Sequence, residues 1–266
     1  MSLTMKRIDF IKRSAIAGFS LILLEKATAN TPACTPTPDE TEGPFATHNP
    51  STLEAQNITA DRKGIPLIIN ITVNDVNNEC RGIKNAIVDI WHCDSKGEYS
   101  EYGGKDEHGR MGMPGGMQMP PPDHPFPADS LRKENEGHRP PPMGGGSMQT
   151  ADHVKEHFLR GRQHTNSNGQ VSFHSIYPGW YVSRAPHIHV HIYSSNGQSL
   201  LVTQIALPEE ISKTVYTKGV YAPHGLAETT NAADMVFADS IANEMATISG
   251  NPTDGYILSH SVYVKA

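Results

Sequence analysis

Three histidines at alternate positions form the pattern in this 266-residue chain that most directly suggests chemistry. His187, His189 and His191 lie in the segment RAPHIHVH at 184–191. In a β-strand all three side chains would point to one face, with successive members about 7 Å apart. Two neighbouring histidines can then bind one metal ion, since imidazole is a common metal ligand. Ordinary polarity on a strand surface explains the same pattern and stays open at this point.

Two tyrosines accompany the histidines. Tyr181 ends the segment PGWY at 178–181, and Tyr99 lies in GEYS at 97–100, just past an apolar run. Ferric iron prefers charged oxygen donors, and two tyrosinates with one hydroxide would balance its three positive charges. A tyrosine whose pKa is about 10 ionises at neutral pH only beside such a cation. If these tyrosines and histidines shared one metal ion, their donors would suit ferric iron, and Arg184 would supply a fixed positive charge unless it forms a surface salt bridge.

Several longer blocks carry a resemblance to a known family. The chain resembles the intradiol ring-cleaving dioxygenases, which include the catechol and protocatechuate dioxygenases, over most of the predicted mature chain. The matching blocks are TEGPF at 41–45, AIVDIWHCDSKGEYS at 86–100, FLRG at 158–161 and SFHSIYPGWYVSRAPHIHVHIY at 172–193. The resemblance implies an Fe(III) cofactor whose protein ligands are Tyr99, Tyr181, His187 and His189. Tyr177 and His191 are then not ligands.

The same resemblance implies roles for residues around the iron. Arg184 matches the family's arginine before the histidine pair, although RAPHIH replaces the more common RPAHIH order. Gln204 matches an active-site glutamine, and Tyr181 is the tyrosinate that leaves the iron and takes a catechol proton. Pro44 and Phe45 match residues near the substrate cleft. The implied reaction opens a catechol-type ring between its two hydroxyl-bearing carbons, inserts both atoms of O2 and gives a muconate-type dicarboxylate. The sequence does not identify the ring substituents.

Other classes of protein stay open on the residues alone. The sequence H-x-D at 92–94 begins a ferrous site of two histidines and one carboxylate, if a later histidine, His187 or His189, completes it. A secreted metal-binding β-sandwich module without catalysis is the other alternative. Its copper ion would be held by thioether sulfurs of Met111, Met113, Met117 and Met119.

Short runs of strand character predict an all-β fold, a β-sandwich with few short helices. The predicted strands cover 66–74, 86–93, 170–174, 187–193, 200–206 and 256–264. Asn-Gly pairs at 168–169 and 196–197 predict hairpin turns. Helices are expected only after Pro208 and around 232–242. Residues 103–150 are rich in Gly, Pro and Met, which predicts a long flexible loop inserted into one domain, beside the mouth of the site.

The N-terminal residues 1–29 predict a cleavable export signal. They have a basic start, an apolar run at 15–24 and small residues at Ala27 and Ala29, so the mature chain would begin near Asn30. The apolar run is too short for a permanent transmembrane helix. We therefore expect a periplasmic or extracellular protein that has no membrane span after signal removal and consists of one domain, 30–266.

Charge and cysteines narrow the choice of partners. The formal net charge of −6 becomes −9 when the predicted signal, which carries five basic and two acidic residues, is removed. An acidic mature protein argues against nucleic-acid binding. The expected partners are a small catechol-type substrate and O2, and a homodimer is the family-based expectation. In an oxidising compartment a Cys34–Cys80 disulfide is favoured, with Cys93 left over, although three buried free thiols remain the alternative.

Overall fold

Nine β-strands make up most of the regular structure within residues 34–103, 151–238 and 240–266, the parts of the chain that the computed structural model describes. The strands are β1 (Pro66–Asp75), β2 (Arg81–Gly82), β3 (Ile87–Trp91), β4 (Arg160–His164), β5 (Gln170–Ile176), β6 (His187–Tyr193), β7 (Ser199–Ala206), β8 (Thr247–Asn251) and β9 (Gly255–Val264). The helices are α1 (Glu209–Tyr216) and α2 (Ile241–Glu244), with 3-10 helices at Pro50–Thr52, Gly219–Tyr221 and Asn231–Ala233.

The strands form two sheets. One has the order β2-β1-β9-β8, with β5 also paired to β1, and the other has the order β4-β3-β6-β7. Strands β1 and β9 run parallel, whereas the other paired strands are antiparallel. Apolar side chains from both sheets pack into one buried cluster, which includes Ile69, Ile71, Val88, Ile188 and Val190. Burial of each such side chain contributes about 1.5–3 kcal/mol, so this layer holds the sheets together. The predicted all-β sandwich is confirmed.

The alternating sequence of strand β6 places apolar residues on one face and histidines on the other. Every residue of the strand except Tyr193 is buried, although only every second one belongs to the core between the sheets. Ile188, Val190 and Ile192 pack into that core. Because side chains alternate along a strand, His187 and His189 lie on the opposite face. The four-stranded sheet therefore carries the candidate site on its outer face.

Some local predictions were wrong. The pair Asn168–Gly169 does form a tight turn, with Gly169 at a φ of +76°. However, it joins β4 to β5, which belong to different sheets, so it is a corner and not a hairpin. The helix expected around 232–242 is reduced to a 3-10 turn and the four residues of α2. One cause is that the Asp234 carboxylate accepts the backbone N–H of Val236, which a helix would use internally.

Other local predictions are confirmed. Asn196–Gly197 makes the hairpin between β6 and β7, and α1 follows Pro208. Cys34 and Cys80 form a disulfide with their Cα atoms 5.9 Å apart, and Cys93 is a buried free thiol.

The described residues between 34 and 266 form one compact unit by their contacts. Within the described ranges no helix is long and apolar enough to span a bilayer.

The predicted signal at 1–29 lies outside the described residues, and so does the predicted insertion at 103–150 except for Gly103. The chain leaves the described part after Gly103 and returns at Ala151. Its two ends are bonded to each other, because the His153 N–H donates to the Tyr102 carbonyl at 3.0 Å and the Glu101 N–H donates to the His153 carbonyl at 2.9 Å. The root of the predicted insertion therefore lies directly beyond Tyr99, as the sequence order required.

Candidate metal centre

The two histidines predicted as ligands lie side by side on the outer face of β6. Their Nε2 atoms are 3.0 Å apart, and both side chains are buried. His187 donates its Nδ1 hydrogen to the Ala185 carbonyl at 2.6 Å, because a carbonyl oxygen can only accept. This bond fixes the tautomer and leaves the lone pair on Nε2 of His187, which is the arrangement of a metal ligand.

The two predicted tyrosine ligands complete the group. The Tyr181 hydroxyl is 3.4 Å from His187 Nε2. The Tyr99 ring centre lies 5.7 Å from that of Tyr181 and 6.1 Å from that of His189. The structure thus brings all four predicted ligands together from three separate segments of the chain. We call this group the Tyr–His cluster (Tyr99, Tyr181, His187 and His189).

The Tyr–His cluster has dimensions and donor types that suit one metal ion. Two nitrogens bound at about 2.1 Å and about 90° apart around one ion would be about 3.0 Å from each other. That separation equals the distance between the two Nε2 atoms. Two phenol oxygens and two imidazoles are hard and borderline donors, as ferric iron prefers. In the described ranges no group of three or more His, Cys, Asp or Glu side chains could hold a metal ion.

Burial sets the protonation of the cluster without a metal. It lowers the pKa values of His187 and His189 well below the ordinary range, so both rings are neutral and able to coordinate. Burial raises the pKa of Tyr181 to about 12, against the opposing charge of Arg184, and it also raises the pKa of Tyr99 well above its ordinary value. Both phenols therefore stay protonated until a cation binds beside them.

His191 faces the same side of β6, but the structure directs its ring elsewhere. Its Nε2 lies 2.8 Å from the Ser199 hydroxyl, and its Nδ1 lies 3.0 Å from a Glu42 carboxylate oxygen. Tyr177 likewise bonds away from the cluster, with its hydroxyl 2.8 Å from that of Ser212. Neither residue joins the Tyr–His cluster.

Two backbone segments bring the tyrosines together. Gly97, at a φ of +84°, lies so close to the Trp180 carbonyl that a Cβ there would be 2.2 Å from its oxygen. The Gly179 N–H also donates to the Asp94 carbonyl at 3.1 Å. Only glycine tolerates both the left-handed conformation and the close approach at position 97. The loop of Tyr99 and the PGWY segment therefore pack backbone against backbone.

Phe45, predicted to border the substrate, lies against both tyrosines. Its ring stacks on Tyr99 at 4.4 Å and meets the Tyr181 ring edge-on at 5.8 Å. Pro44 is half-buried between Phe45 and Gly43, and a Cβ on Gly43 would be 3.0 Å from the His189 ring. Gly43 and Phe45 therefore bring the segment 41–45 against the Tyr–His cluster, where it forms one wall of the site.

Arg184 and Gln204, predicted as catalytic, are bonded to each other. The Arg184 guanidinium donates to the Gln204 side-chain oxygen at 2.5 Å, and Gln204 donates to the Thr41 carbonyl at 2.8 Å. Arg184 also forms a salt bridge of 2.9 Å with Asp234, which is fully buried. The alternative of a surface salt bridge for Arg184 is therefore wrong, because its partner is in the interior.

Sequence reasoning missed three residues that support the site. Asp234 holds Arg184 across 50 positions of sequence, so no local pattern marks it. Trp91 stacks on the His189 ring at 4.9 Å with the planes nearly parallel. Arg160 lies in the FLRG block but received no role, although its guanidinium donates to the Ser100 carbonyl at 2.7 Å and to the Phe45 carbonyl at 2.9 Å. The block containing Arg160 was a usable signal, whereas Asp234 had none.

The alternative ferrous site at 92–94 is not formed. His92 bonds the Ser175 hydroxyl through Nε2 and the Cys93 carbonyl through Nδ1. Asp94 accepts the backbone N–H groups of Lys96 and Glu98. The two side chains are thus committed to different partners. The methionines of the copper alternative lie outside the described residues.

Solved structures resemble this chain, although no protein-family profile and no curated protein matches its sequence. An intradiol ring-cleavage dioxygenase from Tetranychus urticae is 27% identical, with a TM-score of 0.63 over 87% of this chain and 95% of its own. A further dioxygenase crystal structure is 27% identical, with a TM-score of 0.62 over 87% and 94%. The dioxygenase domain of a carbohydrate-binding fusion protein from Streptomyces sp. SirexAA-E is 19% identical, with a TM-score of 0.52 over 86% and 97%, and supports the fold alone.

The chain shares its two-sheet β-sandwich with these dioxygenase structures, and this likeness indicates an oxidoreductase. The chain is a structural relative of the intradiol ring-cleavage dioxygenases, and the resemblance seen in its sequence blocks is confirmed.

Proposed function

We propose that the protein is a non-haem ferric dioxygenase that cleaves a catechol-type ring between its two hydroxyl-bearing carbons. The observation that most supports this is the convergence of the Tyr–His cluster, with two imidazole Nε2 atoms 3.0 Å apart beside two phenols. Ferric iron held by these four residues would supply Lewis acidity toward a catechol and would thereby make its ring reactive toward O2. The product would be a muconate-type dicarboxylate that carries both oxygen atoms.

Tyr181 is the candidate acceptor for a proton of the catechol. Its hydroxyl lies beside His187, and the Arg184 charge favours its ionised form against the effect of burial. As a tyrosinate it can accept the proton of a catechol hydroxyl, and the phenol so formed remains next to the guanidinium. Tyr99 is held differently, because Phe45 stacks on its ring and the adjacent Ser100 is bonded by Arg160. We therefore assign proton acceptance to Tyr181 and a permanent ligand role to Tyr99.

Arg184 and Gln204 supply fixed charge and polarity on the Tyr181 side of the site. A guanidinium held in place stabilises negative charge that develops on the reacting ring, at no cost of reorganisation. Phe45, with Pro44 beside it, presents an apolar surface to an aromatic substrate and excludes water from the cluster. The ring substituents that this wall accepts are open to assay with catechol, protocatechuate, hydroxyquinol and larger plant phenols.

We also propose that the protein works after export from the cytoplasm. The support is the predicted signal at 1–29 together with the Cys34–Cys80 disulfide, since disulfides persist mainly in oxidising compartments.

Iron content, colour and dioxygen uptake test the proposed reaction. The iron-loaded protein should be wine-red from tyrosinate-to-iron charge transfer and should consume O2 with at least one catechol of the panel. Tyr99→Phe should lose most of the charge-transfer absorption band and should retain iron poorly. Tyr181→Phe should keep iron but turn over slowly, because the proton acceptor is gone.

Tyr177→Phe is the matched control, because Tyr177 is also buried but its hydroxyl bonds Ser212 away from the cluster. It should keep both colour and turnover. If the protein bound no ferric iron, or if both cluster variants kept full colour and turnover, the proposal would be wrong.

A further inference from the structure

A buried carboxylate that the reaction does not use lies behind Arg184. Both oxygens of Asp234 are engaged, one by the Ala185 N–H at 2.6 Å and the other by the Val236 N–H at 2.9 Å. The Nε of Arg184 lies between them, at 2.9 Å and 3.1 Å. Asp234 has no solvent exposure, so these contacts replace all of its hydration.

The contacts of Asp234 determine the direction of the guanidinium. Nε of Arg184 is committed to Asp234, and one terminal nitrogen is committed to Gln204 at 2.5 Å. Because the guanidinium is planar, fixing two of its nitrogens fixes its plane and the direction of the third. The positive charge of this guanidinium acts on the neighbouring Tyr181 and favours its ionised form. A shift of the Asp234 carboxylate would therefore turn the charge away from the site.

Asp234 also acts on the metal side through the backbone. The Ala185 backbone is held on both sides of its Cα atom, since its N–H donates to Asp234 and its carbonyl accepts the Nδ1 hydrogen of His187. Ala185 precedes Pro186, which restricts it to extended backbone and leaves little freedom for the peptide to rotate. The carboxylate is thus one bonded residue away from the ring orientation of His187.

We propose that Asp234 is a positioning residue, which orients Arg184 toward the Tyr–His cluster and fixes the Ala185 backbone that orients His187. This inference rests on the proposed function for its catalytic consequence, but not for its structural one. The competing interpretation is that Asp234 only neutralises a buried arginine. The two interpretations predict different effects on turnover and iron retention when only the charge of Asp234 is removed. They also differ in the effect of that change when Arg184 is already replaced.

The test compares Asp234→Asn, Arg184→Gln and the double variant in the full chain, loaded with iron. In Asp234→Asn one carboxylate oxygen becomes an NH2 group that faces the backbone N–H of Ala185 or of Val236, and the negative charge that holds Arg184 is lost, so we expect Arg184 and the Ala185 backbone to move. Iron retention against a chelator and kcat/KM with the best catechol should each fall about 10- to 100-fold. The loss should be mainly in kcat, because the guanidinium acts on the reacting ring. The double variant should turn over within about 2-fold of Arg184→Gln, since Asp234 acts on turnover largely through that side chain.

Asp254→Asn is the control, because Asp254 is an exposed turn residue bonded to Asn251. It should match the wild type in every measurement. If Asp234→Asn lowered thermal stability but left kcat/KM and iron retention within about 2-fold, the neutralising role would be correct and the proposal wrong. The proposal would also be contradicted if the double variant showed the product of the two single-variant losses in turnover.

A crystal structure of metal-free Asp234→Asn decides the proposal independently of any reaction. The Arg184 guanidinium should have left Gln204, and the His187 ring should have rotated from the Ala185 carbonyl. An unmoved Arg184 would refute the positioning role. A wild-type protein inactive with every catechol would instead refute the proposed function and leave this structural result to stand or fall separately.

Discussion

Arg160 offers the sharpest test of how the site is held. Its guanidinium donates to the Ser100 side chain and carbonyl at 2.9 Å and 2.7 Å. It also donates to the Phe45 carbonyl at 2.9 Å and the Thr47 hydroxyl at 3.0 Å, and it lies 3.8 Å from a Glu101 oxygen. The residue thus joins the segment of Phe45 to the loop of Tyr99. Arg160→Met keeps much of the side-chain volume and removes every one of these bonds.

The expected loss follows from what is left behind. Two buried carbonyls lose their donor, and the buried Glu101 carboxylate loses its nearby guanidinium. Removing one partner of a buried charged network costs about 3–5 kcal/mol. For a chain of this length each kcal/mol moves the melting temperature by about 2–4 °C, so we expect a fall of about 6–20 °C. Arg160→Lys should lie between, because it keeps the charge without the planar fork.

Thermal unfolding of the metal-free proteins measures this effect, with iron release to a chelator as the second readout. Arg81→Met is the control, since Arg81 forms an exposed pair with Glu79 worth at most about 1 kcal/mol. Iron should leave Arg160→Met faster than the wild type, because the loop of Tyr99 is loosened. A melting temperature within about 2 °C of the wild type would refute the role of Arg160 in holding these two segments together.

Three other predictions concern separate parts of the chain. Gly43→Ala should cost about 1–2 kcal/mol of stability, because Gly43 has a φ of +68°, and should also weaken iron binding by pressing on His189. Gly197 has a φ of +84° and nothing within 4 Å of an added Cβ, so Gly197→Ala should lower stability in unfolding assays without weakening iron binding in chelator assays. Equal iron affinities of the Gly43→Ala and Gly197→Ala variants would contradict this prediction. Burial lowers the pKa of His260 from 6.5 to about 4, so the unfolded chain binds the extra proton between these values and stability is full above 6.5 and falls as pH drops toward 4. Urea unfolding of His260→Gln should show a decline smaller by something on the order of 3 kcal/mol, and an unchanged decline would exclude His260 as its source. N-terminal sequencing of protein from its native host should find a start near Asn30, whereas an intact leader on a cytoplasmic protein would end the export proposal.

The sequence was informative where periodicity and composition act locally. Alternation along 187–193 correctly predicted a strand with histidines on one face, and the tyrosine segments pointed to the same site. Strands β4 and β8 were missed because they are polar edge strands, RGRQH and TISGN, whose pairing depends on partners elsewhere. The pair Asn168–Gly169 shows the limit clearly, since a tight turn looks the same locally whether its strands join one sheet or two. Asp234 could not be predicted either, because its partners Arg184 and Ala185 lie about 50 positions away in the sequence.

The bonded ends of the chain at 101–103 and 151–156 have a consequence for how proteins of this type can diversify. Hydrogen bonds from Glu101 and His153 close the gap, so the sandwich does not depend on the length of what lies between. Loop closure costs about 0.6 kcal/mol per doubling of length, so shortening that stretch eightfold would change the folding free energy by only about 2 kcal/mol. Evolution, or an engineer, can therefore exchange whole sequences at this point within a few residues of Tyr99. New recognition elements can therefore be inserted at this position while the Tyr–His cluster stays unchanged.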